Sequence, residues 1–576
     1  MHAMKPSGAG RTHYARSLPA LVVLLVLAYL VLVPLGILVI SSLTPSGLPF
    51  DKGWTLGNYA LVYADPEFWS MVWVTLRFAV GSMFWALLLG VGLAWLVERT
   101  DLPGKTPIRV LLTLPMAIPP FLLAIGWILL LSPRIGVINV FLRDTLGLEQ
   151  APFNIYSVAG MIFVQALSLV PSTFLILSPA FRNMDPSLEE AAMTAGASRY
   201  RIFARIFVPL LAPAVLAAAT FMLMVGFLVF DIPGTLGMPV NIFVLSSRIL
   251  YLATDSAGGM SAYHIISTIS VFFLVILLIQ AWGYQRLTRN ASRFVTVTGK
   301  NFRPRLSRLG RWKWAALAFV GLYFLLATVV PLAMLAWTSL MPWMMPPSLA
   351  AASQASWANH LAFFTDPLTL TALGNSLLIG VVASTAVAAF SVLISWIVVR
   401  KRGVSGKLVD FLAFLPIAIP GTMIGVALIY VYLNMPLLNI YGSVWIIAIA
   451  YITTYIPFGT RTTNAVLMQL HRELEEAART SGAGWWRVMR RVVMPLALPA
   501  ALAVWIWVIA HCMRELSSAL LLQGGGNQTL PVVLWNFWVG GEPNKAAAVG
   551  IWLVALVFVT MLVWQAAGSR KPRNAQ

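Results

Sequence analysis

The hydrophobic positions of this chain gather into long runs separated by shorter polar stretches. A helix of about 20 apolar residues crosses the ~30 Å of bilayer hydrocarbon. Twelve runs meet that length, at roughly 18–42, 69–97, 108–132, 157–181, 207–231, 263–284, 314–340, 370–399, 409–433, 441–463, 493–520 and 546–567. The pattern predicts an all-α polytopic membrane protein and leaves almost no chain for a soluble catalytic domain. The first run follows Lys5, Arg11 and Arg16, as a signal peptide does. It exceeds the roughly 7–15 apolar residues of a cleaved signal and ends on no clear small-x-small site, so a retained anchor is expected.

The polar stretches hold a repeat. Residues 185–214 read DPSLEEAAMTAGASRYRIFARIFVPLLAPA, and residues 471–500 read HRELEEAARTSGAGWWRVMRRVVMPLALPA. Fourteen of these thirty positions are identical at an offset of 286, where composition alone gives about two. Upstream, Asn58, Asp65, Pro66, Pro115 and Pro119 answer to Asn359, Asp366, Pro367, Pro416 and Pro420 at an offset of 301. Asn154-Ile155-Tyr156 realigns with Asn439-Ile440-Tyr441, so the first half carries an insertion near Arg134–Gln150. Six spans per half is an even number, and both halves enter the membrane in the same orientation, as a parallel 6+6 repeat. The expected division is a first half over 1–283, a basic linker over 284–313 and a second half over 314–576.

Composition agrees: 59% of the 576 residues are hydrophobic and 10% charged, with a mean hydropathy of +0.84. Soluble domains are about a quarter charged. The net charge of +20 invites a nucleic-acid partner until the charges are placed. With the N-terminus inside, the inward loops hold 32 of the 39 Lys and Arg residues. That bias sets the orientation with both termini cytosolic, and it accounts for the charge with the lipid bilayer, rather than nucleic acid, as partner. The linker has nine Lys or Arg and no acid, which suits a solvated tether near anionic headgroups. Cys512 is the single cysteine, which excludes an intramolecular disulfide.

Each copy of the repeated segment lies between the fourth and fifth spans of its half, on the inward side. Good helix formers follow the glutamates. Gly196 and Gly482 then permit a turn that a Cβ resists, and Pro209 or Pro495 opens the next span. A short helix is thereby held across the membrane face with paired glutamates at its start. Such carboxylates favour the helix dipole, and they also suit docking into a partner's groove against a basic residue. Two copies at one offset favour docking.

The order Glu-Glu-Ala-Ala, Gly four residues on and Pro-Leu thirteen beyond that resembles the EAA loop of ATP-binding-cassette importer permeases. The resemblance implies that Glu189, Glu190, Ala191, Ala192 and Gly196, with Glu475, Glu476, Ala477, Ala478 and Gly482, form two coupling helices. Fused two-half permeases of this layout look most like the ferric-iron uptake group, with thiamine, phosphonate and polyamine systems as relatives. FDIPGTLGMPVN at 230–241 and RELSSALLLQGG at 514–525 carry that finer likeness. The resemblance implies a bacterial inner-membrane location and a substrate-binding protein on the periplasmic or extracellular side. It also implies two copies of an ATPase subunit, which hold the ATP and Mg, with no cofactor on this chain. A major-facilitator secondary transporter also has six plus six spans. Its acidic-basic signature is missing from 97–107, and it has no reason to repeat a glutamate-rich loop.

Asp101-Leu-Pro-Gly-Lys-Thr106 imitates the end of a phosphate loop, but Arg99 stands where that motif needs glycine. His471-Arg-Glu lacks the second histidine of a zinc-protease motif. Ionisable residues near spans are functional suspects. Asp231 and Glu515 close the fifth and eleventh spans at an offset of 284. Two readings stand: they line a path or steady a gate by pairing with Arg248 or Arg514, or they sit hydrated at the interface. His511 and Cys512 precede this pair, yet adjacent helical residues point apart and hard Fe(III) prefers oxygen, so no metal site is expected. Arg77 either snorkels outward or pairs in the bundle. Pro115, Pro119, Pro416 and Pro420 break the third and ninth spans, either to line a cavity or to shape packing.

Overall fold

A computed structural model describes residues 9–184, 191–254, 262–291, 306–401, 403–433 and 440–569. All twelve expected spans coincide with helices or bent helix pairs. The first half has Ala9–Ser42, Pro66–Arg99, the pair Lys105–Ala117 and Pro120–Leu131, Val158–Arg182, Tyr200–Leu228 and Tyr263–Ala291. The second has Gly310–Leu340, Pro367–Arg400, the pair Val404–Ala418 and Gly421–Leu433, Val444–Leu467, Trp485–Cys512 and Pro543–Ser569. The sixth helix runs past residue 283 to Ala291, into the stretch read as linker. One further bent pair, Pro233–Val240 and Leu245–Thr254, was read from sequence only as a signature at the end of the fifth span. Pro233 to Gly237 are all buried, so this pair folds back into the protein.

Proline accompanies both sharp breaks, although Pro171 and Pro179 in the fourth span and Pro457 in the tenth lie inside unbroken helices. A proline inside a helix removes one hydrogen bond and crowds the carbonyl four residues back. At Pro115 the third span passes through a 3₁₀ turn at Leu114–Ala117 and bends by 90°. The ninth does the same at Leu415–Ala418 and bends by 109°. The second and eighth spans have no interior proline, and each is a single helix of 34 residues. At about 1.5 Å per residue each is ~50 Å long. Their starts are matched too: Asp65 caps the Glu67 amide at 2.9 Å and Asp366 caps the Thr369 amide at 3.0 Å. The hydrogen bond from the Thr369 hydroxyl holds the Asp366 carboxyl below the usual carboxylate range.

The halves exchange their first spans. Ala9–Ser42 packs on its own sixth span and on the broken ninth span of the other half; Gly310–Leu340 packs on the twelfth and on the broken third. Tyr29 and Tyr432 meet hydroxyl to hydroxyl at 2.9 Å across the first of these contacts. At the second, a Cβ on Gly126 would come within 2.7 Å of Pro331, so only glycine allows that approach. The described end of the linker, from residue 306, is stitched to the first half. The Ser307 amide donates to the Arg99 carbonyl at 2.8 Å, the Asp101 amide to the Ser307 carbonyl at 3.1 Å, and the Leu309 amide to the Asp101 carboxylate at 2.8 Å.

Candidate functional site

Both glutamate-rich segments end in the same construction. Gly196 and Gly482 adopt φ of +77° and +82°. The next amide, of Ala197 or Ala483, reaches back to the carbonyl of Ala192 or Ala478 at 2.9 and 3.0 Å. This is the closure that glycine makes at a helix C-terminus. Seven residues on, the chain forms π-helical turns at Phe203–Phe207 and Met489–Val493, again 286 apart. Pro209 and Pro495 would crowd the carbonyls of Arg205 and Arg491 inside those turns, and widening the turn relieves that clash.

The glutamates are not equivalent. Glu189 and Glu190 lie outside the described residues; Ala191 and Gly196 are exposed and Ala192 is half-buried. In the second half, helix Glu473–Thr480 turns Glu475 inward and leaves Glu476 and Ala477 exposed, with Ala478 half-buried and Gly482 exposed. Successive helical residues point about 100° apart, and here that rotation separates the pair. Arg400 Nε donates to Glu475 Oε1 at 2.7 Å and Trp396 Nε1 to Oε2 at 3.0 Å. The Arg400 and Glu475 side chains retain only 11% and 8% of their exposure. Arg400 also holds the Leu470 carbonyl at 3.0 Å, and Arg472 the Val399 carbonyl at 3.2 Å.

Sequence reasoning missed Arg400 and Trp396. The available signal was Arg99, which stands at the same place in the first half at the 301 offset. Arg99 lies over the Phe207 ring at 5.4 Å and donates to the Met184 carbonyl at 3.4 Å. Equally unforeseen is Glu98, which accepts from Arg109 at 2.8 Å, Arg182 at 3.1 Å and the Ser178 hydroxyl, joining the second, third and fourth spans.

Of the charged residues at the far ends of the fifth and eleventh spans, three converge and one stands apart. Arg514 Nη1 donates to the Met116 carbonyl, at the break of the third span in the opposite half. Glu515 accepts from the Tyr455 hydroxyl at 3.2 Å, and its Oε1 lies 3.1 Å from where a Cβ on Gly421 would stand, at the break of the ninth span. Asp231 is within electrostatic reach of both, and its buried Oδ1 has no hydrogen-bond partner among the described residues. The two helix breaks therefore meet at a charged cluster between the halves. Arg248 is elsewhere. Its guanidinium lies 5.0 Å from the Phe243 ring and 5.6 Å from that of Tyr251, and it lines an open cleft of about 820 Å³ with Asp65 and Glu67. His511 stacks on Trp507 at 3.6 Å and its Nδ1 lies 2.8 Å from the Trp507 carbonyl, while Cys512 is buried. Among the described residues no three His, Cys, Asp or Glu side chains are placed to hold a metal. Arg77 is exposed on the outside of its span.

A family model described as "Binding-protein-dependent transport system inner membrane component" matches the chain twice, over residues 86–289 and 389–571. The chain is 28% identical over 458 residues to the putative ferric transport system permease protein FbpB 1 of Haemophilus influenzae, covering 77% of this chain and 70% of that protein. It is 27% identical over 512 residues to the ferric transport system permease protein FbpB of Actinobacillus pleuropneumoniae, covering 86% and 72%. The molybdenum transport system permease protein ModB of Escherichia coli K12 is 30% identical over 226 residues, which is 38% of this chain and 95% of that protein.

Proposed function

The chain belongs to the family of binding-protein-dependent transport system inner membrane components, and on that premise we propose that it is the permease of an ATP-driven ferric-iron importer. The observation that carries the reading is the doubled segment: two glycine-closed helix ends and two π turns at one offset, on the face where the basic loops gather. In this reading that face is cytosolic, as are both termini. Each coupling helix seats in one of two ATPase subunits, with Glu190 and Glu476 presenting carboxylates to the ATPase surface. ATP and Mg stay on that partner. A substrate-binding protein delivers cargo to the opposite face.

Iron as cargo is supported by the names of the relatives that span both halves, and by the chemistry at the interface. Asp231, Glu515 and Tyr455 offer hard oxygen atoms, which suit Fe(III), and Arg514 lies in the same cluster. A permeating ion must also be released, and Arg514 between the halves keeps those acids from binding it too tightly. Asp231, Glu515 and Arg514 thus act as path or gate, and Arg248 lines the outer cleft.

The test is to co-express the chain with its ATPase and binding protein, purify it, and reconstitute it in liposomes. The expected result is two ATPase subunits per permease and ATP-dependent uptake of labelled Fe(III). The Asp231→Asn, Glu515→Gln double variant is expected to keep the ATPase and lose uptake. Purification without an ATPase, or uptake driven by an ion gradient alone, would overturn the assignment.

A further inference from the structure

We infer that Glu475, Arg400 and Trp396 fasten the second coupling helix to the eighth span, and that this span carries the helix's displacement to the segment that joins helix Ser517–Leu522 to helix Leu530–Val539 at the opposite face. The inference rests on the coupling role proposed above and assigns Glu475 a different task from its neighbour Glu476.

Three observations support it. First, the Glu475 carboxylate is turned away from the protein surface: its side chain is 8% exposed, with Arg400 on one oxygen at 2.7 Å and Trp396 on the other at 3.0 Å. Second, both partners belong to the last turn and a half of an uninterrupted 34-residue helix. With no interior proline or break, that helix transmits a push along its axis, whereas the ninth span bends by 109° at its middle. Third, the far part of the same helix grips the segment that follows Glu515. Asn375 Nδ2 donates to the carbonyls of Gly526 at 3.1 Å and Gln528 at 3.0 Å, and the Ser376 hydroxyl accepts from the Leu530 amide at 2.8 Å. One rigid element is thus hydrogen-bonded to the coupling helix at one face and to the segment Gly526–Leu530 at the other. The first half repeats the far contact, with the Thr75 hydroxyl accepting from the Leu245 amide at 3.1 Å.

A buried ion pair resists disruption because removing one partner strands the other charge. The pair therefore holds while the helix moves, which an exposed pair would not do. Glu475 and Arg400 are positioning residues: they touch neither cargo nor nucleotide.

The experiment uses the full permease–ATPase complex with its binding protein and compares Glu475→Gln, Arg400→Gln, their combination, Trp396→Phe and Asp410→Asn. Two quantities are read: ATPase retained through purification, and iron moved per ATP hydrolysed. Glu475→Gln and Arg400→Gln are expected to retain the ATPase yet move at least ~5-fold less iron per ATP, the lower range of typical coupling energies. The combination should be no worse than either single change, because both remove one interaction. Asp410→Asn, which breaks a largely exposed pair with Arg461 away from the coupling helix, should behave as wild type. Trp396→Phe gives the milder version of the defect and serves if a charge variant fails to assemble. Normal iron per ATP in Glu475→Gln or Trp396→Phe overturns the inference, and so does loss of the ATPase from Glu475→Gln. A wild-type chain that never retains an ATPase sinks the coupling reading itself, which is a separate result.

Discussion

The two halves share one backbone plan but not one set of charges. Proline breaks, helix caps, glycine closures and π turns recur at fixed offsets. Yet Glu98, which joins three spans in the first half, corresponds to Val399, and its partner Arg109 corresponds to Asp410. The second half ties its ninth and tenth spans through Asp410 and Arg461 instead, at 3.1 Å, with both side chains more than a third exposed. The difference follows from what each feature costs to change. Moving a proline or a positive-φ glycine relocates a bend or a turn, and every packed neighbour must follow. A charge pair is made by side chains alone, so one half can keep a buried pair and the other an exposed one of opposite polarity without moving the backbone.

The coupling segments are where the halves remain most alike, and the largest effect is expected there. If Glu190 and Glu476 dock equivalently, either single alanine variant leaves one contact to retain the ATPase. Truncating one partner of a buried charged contact costs about 2–5 kcal/mol. The double variant should lose far more than a single one, because two linked contacts supply avidity that neither has alone. Retention of the ATPase by wild type, both singles and the double measures this directly. Unequal singles would break the comparison and show that one half carries the docking.

What the sequence made legible was whatever the covalent backbone imposes. The twelve runs form helices or bent pairs, the breaks fall at Pro115 and Pro416, and Gly196 and Gly482 take the positive φ that glycine allows. The re-entrant pair Pro233–Val240 and Leu245–Thr254 was missed because its apolar stretches are too short to span and are interrupted by Pro233, Gly234, Gly237 and Pro239. Glu475 and Glu476 are indistinguishable as letters, and only the phase of the helix separates an anchored carboxylate from a presented one. Arg514 finds the Met116 carbonyl 398 residues away in the chain. No local pattern encodes such a contact. The reading that Arg248 shares a site with Asp231 fails for the same reason, since the bend after Val240 carries it into a different cleft.

The linker gives the halves a second asymmetry, with a smaller expected effect. Ser307 and Leu309 bind the first half at Arg99–Asp101, and Arg99 in turn touches Met184 and Phe207. The tether therefore ends in a clip. Separate chains 1–290 and 300–576 should assemble and restore some transport, because the clip stays on the second chain. Starting that chain at 310 removes it and should lower co-purification of the halves by roughly the worth of a few hydrogen bonds, ~0.5–1.5 kcal/mol each. Equal recovery of the two pairs would reduce the linker to a plain tether.

The smallest effect tests the opening comparison most directly. Glu98 has a side chain only 2% exposed and serves two arginines that are 38% and 54% exposed. Glu98→Gln keeps the volume and one carbonyl acceptor but cannot satisfy both guanidinium groups, which can recover water because they are partly exposed. The expected loss is about 1–3 kcal/mol, the range for leaving hydrogen-bonding groups unsatisfied. Asp410→Asn breaks a pair whose members are 37% and 43% exposed, and exposed pairs contribute roughly 0–1 kcal/mol. Thermal unfolding of the two variants in one detergent should therefore rank Glu98→Gln well below Asp410→Asn, with Asp410→Asn near wild type. High salt should narrow the Asp410 effect further, because exposed pairs are screened, while leaving the Glu98 effect largely in place. If Asp410→Asn proves as damaging as Glu98→Gln, burial does not decide which charges the halves must keep, and the electrostatic difference between them needs another cause.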